Sequence, residues 1–512
     1  MPDPISLPEK AAPVVIIGAG IGGLVAAALL AGAGRRVRVL ERHAGPGGKM
    51  RTLPSSAGPV DAGPTVLTLR RVFDAVFEAL GERLDDHLTL VRQPRLARHF
   101  WPDGATLDLF EDTDRSAEAI HAFAGSRAAR QFRAFDRRTR ALFDAFDAPV
   151  MSAARPSLPQ VIRKLLAAPR LMRDMAPGRT LAGLLDDAFD DPRLAQVFGR
   201  YATYVGGSPY HSPALLALIW QAEASGVWAV RGGMHRLARA LEALARARGA
   251  QFDYGTEARR IEVRENRVTG LTFDGGTRIA AETVLFNGDP RALASGLLGP
   301  DVALVAARTK TAPRSLSADV WTFAAAPQGP DLAYHNVFFR ADPKPEFDAL
   351  DRGSRLPDPT LYVCAMDRAS GAAPPLERFE IIANAPPLTL MPQEPSQCPD
   401  RCFPTLSRFG LRFDPQQGPA RPTTPQGFET LFPGSAGSLY GQSPHGMMAA
   451  FHRPTAHTAI KGLFLAGGGT HPGAGVPMAA LSGRHAAEAI LQRRISTSPS
   501  RRMATHGGTS TA

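Results

Sequence analysis

Cysteine is scarce in this chain of 512 residues. Three occur, Cys364, Cys398 and Cys402, odd in number and late in the sequence. They cannot build a disulfide framework, and Cys398-x-x-x-Cys402 lacks the second pair that would complete a zinc site, so no metal is expected and a reducing, intracellular setting is. Aromatic residues are only 7%. With no zinc-finger spacing and with basic residues scattered among acids, the net charge of +11 does not read as a nucleic-acid binder. Anionic lipid is the partner such a basic surface favours instead. Long hydrophobic runs are also few. Residues 11–34 are uncharged and long enough to cross a bilayer, but six glycines between Gly18 and Gly34 argue against a span. The N-terminus, MPDPISLPEK, has prolines and acids in place of a basic n-region, so export is not expected. Residues 496–512, rich in Ser, Thr, Gly and Arg, are expected to be a disordered tail.

What is abundant is glycine, and its placement organises the chain. Residues 14–42 read VVIIGAGIGGLVAAALLAGAGRRVRVLER. Val14, Val15, Ile16 and Ile17 predict a strand buried on both faces. Gly18, Gly20 and Gly23 then supply G-x-G-x-x-G. The first permits a tight turn, the second lets the backbone approach a pyrophosphate, and the third lets the following helix pack closely, with the phosphates at its N-terminus. Gly34 stops that helix, Val37 to Leu40 form a second strand, and Glu41 ends it where a carboxylate can accept both ribose hydroxyls. The glycine motif alone is weak. Here it follows a strand, opens a helix and meets its acid about twenty residues on, as a dinucleotide site requires.

The next segment, RHAGPGGKMR, places Gly47-Gly48 where an NAD enzyme begins its next helix. In flavoproteins with this type of domain a paired glycine followed by a basic residue carries the chain over the flavin, which favours FAD and assigns Arg42, Gly47, Gly48 and Lys49 to the cofactor. Asp61-Ala62-Gly63-Pro64-Thr65 is a rigid Gly-Pro turn, either simple punctuation or a segment beside the isoalloxazine. HFWPDGATLDL, from His99, predicts a hairpin of a second domain's sheet.

A helical pattern runs over residues 116–146. In residues 160–179 an apolar stripe of Val161, Ile162, Leu165, Leu166, Leu171, Met172 and Met175 lies beside Arg163, Lys164, Arg170, Arg173 and Arg179. It reads either as a basic amphipathic helix lying in a membrane surface or as a core-facing helix kinked at Pro169; the net charge tips the reading to the membrane. Residues 226–261 predict loop, helix and strand, and 260–285 a small antiparallel sheet. Residues 291–453 give only short apolar runs and many prolines, and His335 within them reads as a structural histidine. The last informative stretch, GLFLAGGGTHPGAGVPMAALSG, predicts a strand, a second glycine turn and a helix aimed back at it. Such a helix N-terminus can stabilise the negative charge of a reduced flavin.

Gly462-x-Phe464-Leu465-x-Gly467-Gly468-Gly469-Thr470-His471-Pro472-Gly473-Ala474-Gly475-Val476, with Gly483 beyond, resembles the signature of the bacterial-type phytoene desaturases, FAD-dependent carotenoid desaturases among the amine-oxidase-like flavoproteins. Residues 61–65 resemble that family's flavin-proximal segment, and Gly226-Val227-Trp228 with Arg231-Gly232-Gly233-Met234 its central one. In overall texture the chain is most similar to the desaturases of hydroxyneurosporene and methoxyneurosporene in purple photosynthetic bacteria. Gly468, where many relatives have alanine, and Met478, in place of glycine, are departures.

The resemblance implies an α/β chain: a discontinuous Rossmann-like FAD-binding domain (13–75, 226–300 and 455–495) and an interleaved α+β substrate domain (76–225 and 301–454), with tails at 1–12 and 496–512. It implies non-covalent FAD, an acyclic carotenoid substrate, a quinone or oxygen as electron acceptor, and a cytoplasmic protein peripherally bound to the inner or photosynthetic membrane. Gly63, Pro64, Thr65, Gly467, Gly475, Val476 and Met478 join the cofactor residues. Hydride transfer to flavin N5 leaves little for protonic catalysts to do. His471 is read as an acid–base group or a loop stabiliser, and Asp61 is a similar candidate. Alternatives are a multi-step phytoene desaturase, an amine or protoporphyrinogen oxidase, and a lipid-carrying protein resembling the GDP-dissociation inhibitors.

Overall fold

In a computed structural model, residues 12–369, 371, 373–390, 401–413 and 422–495 are described. Cys398, the first eleven residues and the tail at 496–512 lie outside these. The centre is a five-stranded parallel sheet assembled from distant parts of the chain. Its order is Leu463–Leu465, Thr283–Phe286, Val14–Ile17, Val37–Glu41 and Gln251–Tyr254. Val14, Val15 and Ile16 are fully buried. The uncharged run at 11–34 is thus strand, glycine turn and the helix Ile21–Gly32. Among the described residues no helix is long and apolar enough to cross a membrane.

Helices His235–Ala247 and Val476–Ile495 pack on Ile21–Gly32. A small antiparallel sheet, Ala258–Arg264, Arg267–Phe273 and Arg278–Ala280, stands beside this unit. Its first turn is made by Glu265 and Asn266, both at positive φ (48° and 56°), a tight turn without glycine.

The second layer is a six-stranded sheet in the order Ser317–Ala325, Glu377–Ala385, Leu361–Ala365, His335–Phe338, Arg95–Phe100 and Thr106–Phe110. The last two strands are the Asp103-Gly104 hairpin, Gly104 having φ 84°. Most of its strands come from the proline-rich region whose short runs gave no pattern. Strand Ser317–Ala325 is buried at every position, so the alternation that marks a half-exposed strand is missing.

Helix Thr113–Phe146 is interrupted at Gly125 (φ 84°). The basic segment forms two helices, Leu158–Ala167 and Pro169–Met175. Val161 and Leu165 are buried against Leu142, Ala145, Phe146 and Leu218, whereas Ile162 and Leu166 are 47% and 74% exposed. The core-facing reading therefore holds for Val161 and Leu165, and the apolar stripe is wider than the core beneath it.

Candidate functional site

Where the two layers meet, a cavity of about 930 Å³ runs from the glycine turn into the apolar interior of the second unit. At one end, Gly18, Gly20, Glu41 and Arg42 line it. Gly47, Gly48, Lys49, Gly63, Pro64 and Thr65 follow, and Gly467, Gly475, Val476 and Met478 close over from the chain's other end. Gly23 does not line the cavity: a Cβ there would stand 2.2 Å from the Gly18 carbonyl oxygen, which is the close helix packing expected of the third glycine. The paired glycines fold onto the same turn. The Gly47 N–H donates to the Ala19 carbonyl (2.9 Å), and a Cβ on Gly48 would lie 3.2 Å from the Gly20 Cα. Gly63 packs under them, since a Cβ there would stand 2.0 Å from the Lys49 carbonyl oxygen.

The Glu41 carboxylate accepts from the backbone N–H groups of Ala19 (2.8 Å) and His43 (2.9 Å), so it also fixes the loops that frame this end. Helix Val476–Ile495 begins at the cavity. Gly468 leaves room for a methyl group, the nearest atom to a Cβ being the Gly473 carbonyl oxygen at 3.9 Å.

Two residues at this site had no recognisable local signal. Asn287, after strand Thr283–Phe286, donates through Nδ2 to the Gly18 carbonyl (3.1 Å), while its buried Oδ1 has no hydrogen-bond partner. Arg453 lies buried on the cavity wall and donates to the carbonyls of Tyr440, Gln442 and Gly468 at 2.9–3.1 Å. Burial pushes it down to about 10. Burial likewise lowers the Lys49 ammonium to about 8; its Nζ donates to the Leu439 carbonyl. Arg453 hydrogen-bonds only carbonyls here. A half-buried ammonium and a buried guanidinium facing one cavity suit a ligand with phosphates and an anion-forming ring. The residues present therefore fit a flavin dinucleotide.

Asp61 and His471 are buried but are not part of the cavity wall. Asp61 accepts from the N–H groups of Met234 (2.6 Å) and His235 (3.3 Å) at the start of helix His235–Ala247, joining two segments that the sequence shows as separate motifs. Burial raises its pKa above the usual carboxylate value. His471 Nε2 lies 2.9 Å from the Ala153 carbonyl, and burial lowers its pKa to about 4. This geometry ties loops together and places no proton at the cavity. Cys364, fully buried with its thiol pKa pushed well up by burial, is an unreactive core residue.

Beyond the glycine-lined end the wall becomes apolar: Phe143, Phe146, Val150, Met151, Leu218 and Ile219. This part lies beneath the two basic helices, because Val150, Met151, Leu171 and Met175 pack in one cluster.

A parallel sheet whose glycine turn opens into a long, mostly apolar cavity defines a flavoprotein oxidoreductase. Residues 21–491 match the flavin containing amine oxidoreductases, and the chain belongs to that family. It is 55% identical over 480 residues to the hydroxyneurosporene desaturase of Cereibacter sphaeroides, covering 93% of this chain and 97% of that one. To the hydroxyneurosporene desaturase of Rhodobacter capsulatus it is 53% identical over 485 residues, covering 94% and 98%. Among solved structures, cyclohexylamine oxidase from Brevibacterium oxydans matches with a TM-score of 0.59 over 95% of this chain and 100% of that one. At 18% identity this likeness is one of fold.

Proposed function

We propose that the protein binds FAD non-covalently and introduces a double bond into an acyclic carotenoid, best a hydroxylated or methoxylated neurosporene. The observation that supports this most is the single cavity joining the glycine-lined end to an apolar channel. Gly18 and Gly20 would hold the pyrophosphate side, with Asn287 fixing the Gly18 turn, Glu41 the ribose, and Lys49, Gly63, Thr65, Gly467 and Met478 the flavin ring. The division into a discontinuous cofactor domain and an interleaved substrate domain goes with that reading. FAD bound there supplies the hydride acceptor.

The chain's own part is to orient and to exclude water. The apolar walls would hold the polyene, Lys49 and Arg453 would supply positive charge to a bound flavin, and the N-terminus of helix Val476–Ile495 would add to it. A quinone or oxygen is the proposed terminal acceptor. We place the protein peripherally on the cytoplasmic face of the inner or photosynthetic membrane. Exposed Leu158, Ile162, Leu166 and Met172 above the apolar end support entry of the substrate from lipid.

Membranes containing the FAD-loaded protein, supplied with hydroxyneurosporene, should show the red shift of one added conjugated double bond. Gly20→Val should remove the flavin absorbance and the turnover together. Retention of both in the variant would mean that the cofactor site is misassigned.

A further inference from the structure

One polar group in the apolar part of the cavity is not accounted for by cofactor binding. Arg200, Tyr204 and Glu223 all line it. Glu223 is only 3% exposed, and the Tyr201 hydroxyl donates to its Oε2 at 2.7 Å. Tyr204 interacts with both Glu223 and Arg200, and the Arg200 guanidinium lies 5.0 Å from the Tyr204 ring centre. Arg200 Nε is buried and has no hydrogen-bond partner. Burying a guanidinium and a carboxylate in an apolar channel is costly, and leaving a donor unpaired adds to the cost, so packing alone is a poor reason for them.

Their position relative to the cofactor end is equally specific. Tyr362, also on the cavity wall, has its hydroxyl 2.6 Å from Thr65 Oγ1 and 2.6 Å from His335 Nδ1. Thr65 follows Gly63, whose backbone packs on Lys49. The polar wall thus begins beside the flavin-lining segment and continues toward Tyr204 and Arg200.

We propose that Arg200, Tyr204 and Glu223 form the site that receives the oxygen of the substrate's hydroxylated or methoxylated end. This rests on the desaturase reading above. A double bond introduced near that end requires the oxygen to sit a few bonds from the reacting carbon, hence near the flavin edge and not at the distant mouth. The Arg200 guanidinium and the Tyr204 hydroxyl on the cavity wall can donate to a hydroxyl or an ether oxygen, whereas Glu223 can accept only from a hydroxyl. The site therefore ranks substrates: hydroxylated first, methoxylated next, unoxygenated last.

The test compares kcat/KM for hydroxyneurosporene and neurosporene in membranes carrying the FAD-loaded wild type, Tyr204→Phe, Arg200→Met and Glu223→Gln. Flavin content is checked in each. The wild type should prefer the hydroxylated substrate by about tenfold to a hundredfold, the range expected for a buried polar group left unpaired. In Arg200→Met that ratio should fall at least tenfold, and in Tyr204→Phe, which changes one hydroxyl, it should fall by less. Glu223→Gln should reduce the preference for hydroxylated over methoxylated substrate. Equal losses on both substrates, leaving the ratio at its wild-type value, would overturn the inference and mark the cluster as structural. Turnover of neither substrate by flavin-loaded wild type would instead defeat the desaturase reading, and this inference with it.

Discussion

Gly22, in the first helix, and Gly483, in the last, touch backbone to backbone: a Cβ on Gly483 would stand 2.1 Å from the Gly22 carbonyl oxygen. That contact locks the C-terminal glycine turn onto the N-terminal one. Gly483→Leu has no flexible side chain to push aside, so it should destabilise the protein by about 1–3 kcal/mol or more and release flavin, seen as free FAD after gel filtration. Gly468→Ala, where a Cβ has 3.9 Å to its nearest neighbour, is the contrasting control and should retain flavin.

Lys49 predicts two pH dependences of opposite sign. Burial lowers its pKa from 10.5 to about 8. Between those values the unfolded chain binds the proton that the folded apoprotein has released, so apoprotein stability contributed by this group rises with pH from about 8 to 10.5. FAD binding favours the charged ammonium, so affinity should fall as pH rises through about 8, by up to about tenfold per pH unit. Titration of apoprotein by flavin fluorescence at pH 7 to 10 checks this. Lys49→Met should bind more weakly and show a flat profile.

Acid should unfold the protein through its buried histidines. Burial lowers His99 and His335 to about 3 and His471 to about 4. Each is held neutral in the folded state, so its contribution to stability is complete above about pH 6.5 and is lost as pH falls toward those values. The slope is at most about 1.4 kcal/mol per pH unit for each histidine. Urea midpoints at pH 7, 6 and 5 measure it, and His471→Gln should make the decline shallower.

Membrane binding should have separable parts. Replacing Arg163, Arg170 and Arg173 by Gln should remove the salt-sensitive part of binding to vesicles containing anionic lipid, at about 1 kcal/mol per charge. Replacing Ile162 and Leu166 by Gln should weaken binding to neutral vesicles as well. Co-sedimentation unaffected by either set would rule this surface out.

The strand, glycine turn, helix and acid of residues 14–41 were legible because each step is local and imposed by backbone geometry. The C-terminal turn was legible for the same reason. Asn287 and Arg453 were not. Each reaches the site from a loop whose neighbours carry no periodicity, and the value of Asn287 lies in a bond to Gly18, 269 positions away. The Arg200 and Glu223 group was hidden in a run of short helical turns, where a charged residue ordinarily reads as solvent-facing. Asp61 and His471 stand out in the sequence because they are titratable and sit within motifs. In the fold their neighbours are backbone groups of adjoining segments, a relation that spacing does not reveal.

The five strands of the parallel sheet enter at residues 14, 37, 251, 283 and 463. During synthesis the glycine turn after Val14–Ile17 therefore waits for more than 400 residues before strand Leu463–Leu465 and the second glycine turn exist. Until then the apolar flank of strand Thr283–Phe286 has no neighbour at the sheet edge, and an open edge of that kind can pair with another nascent chain. Completion of the cavity is in effect a late step of folding. Production of the protein should accordingly respond more to chaperones and slow translation than to flavin supply.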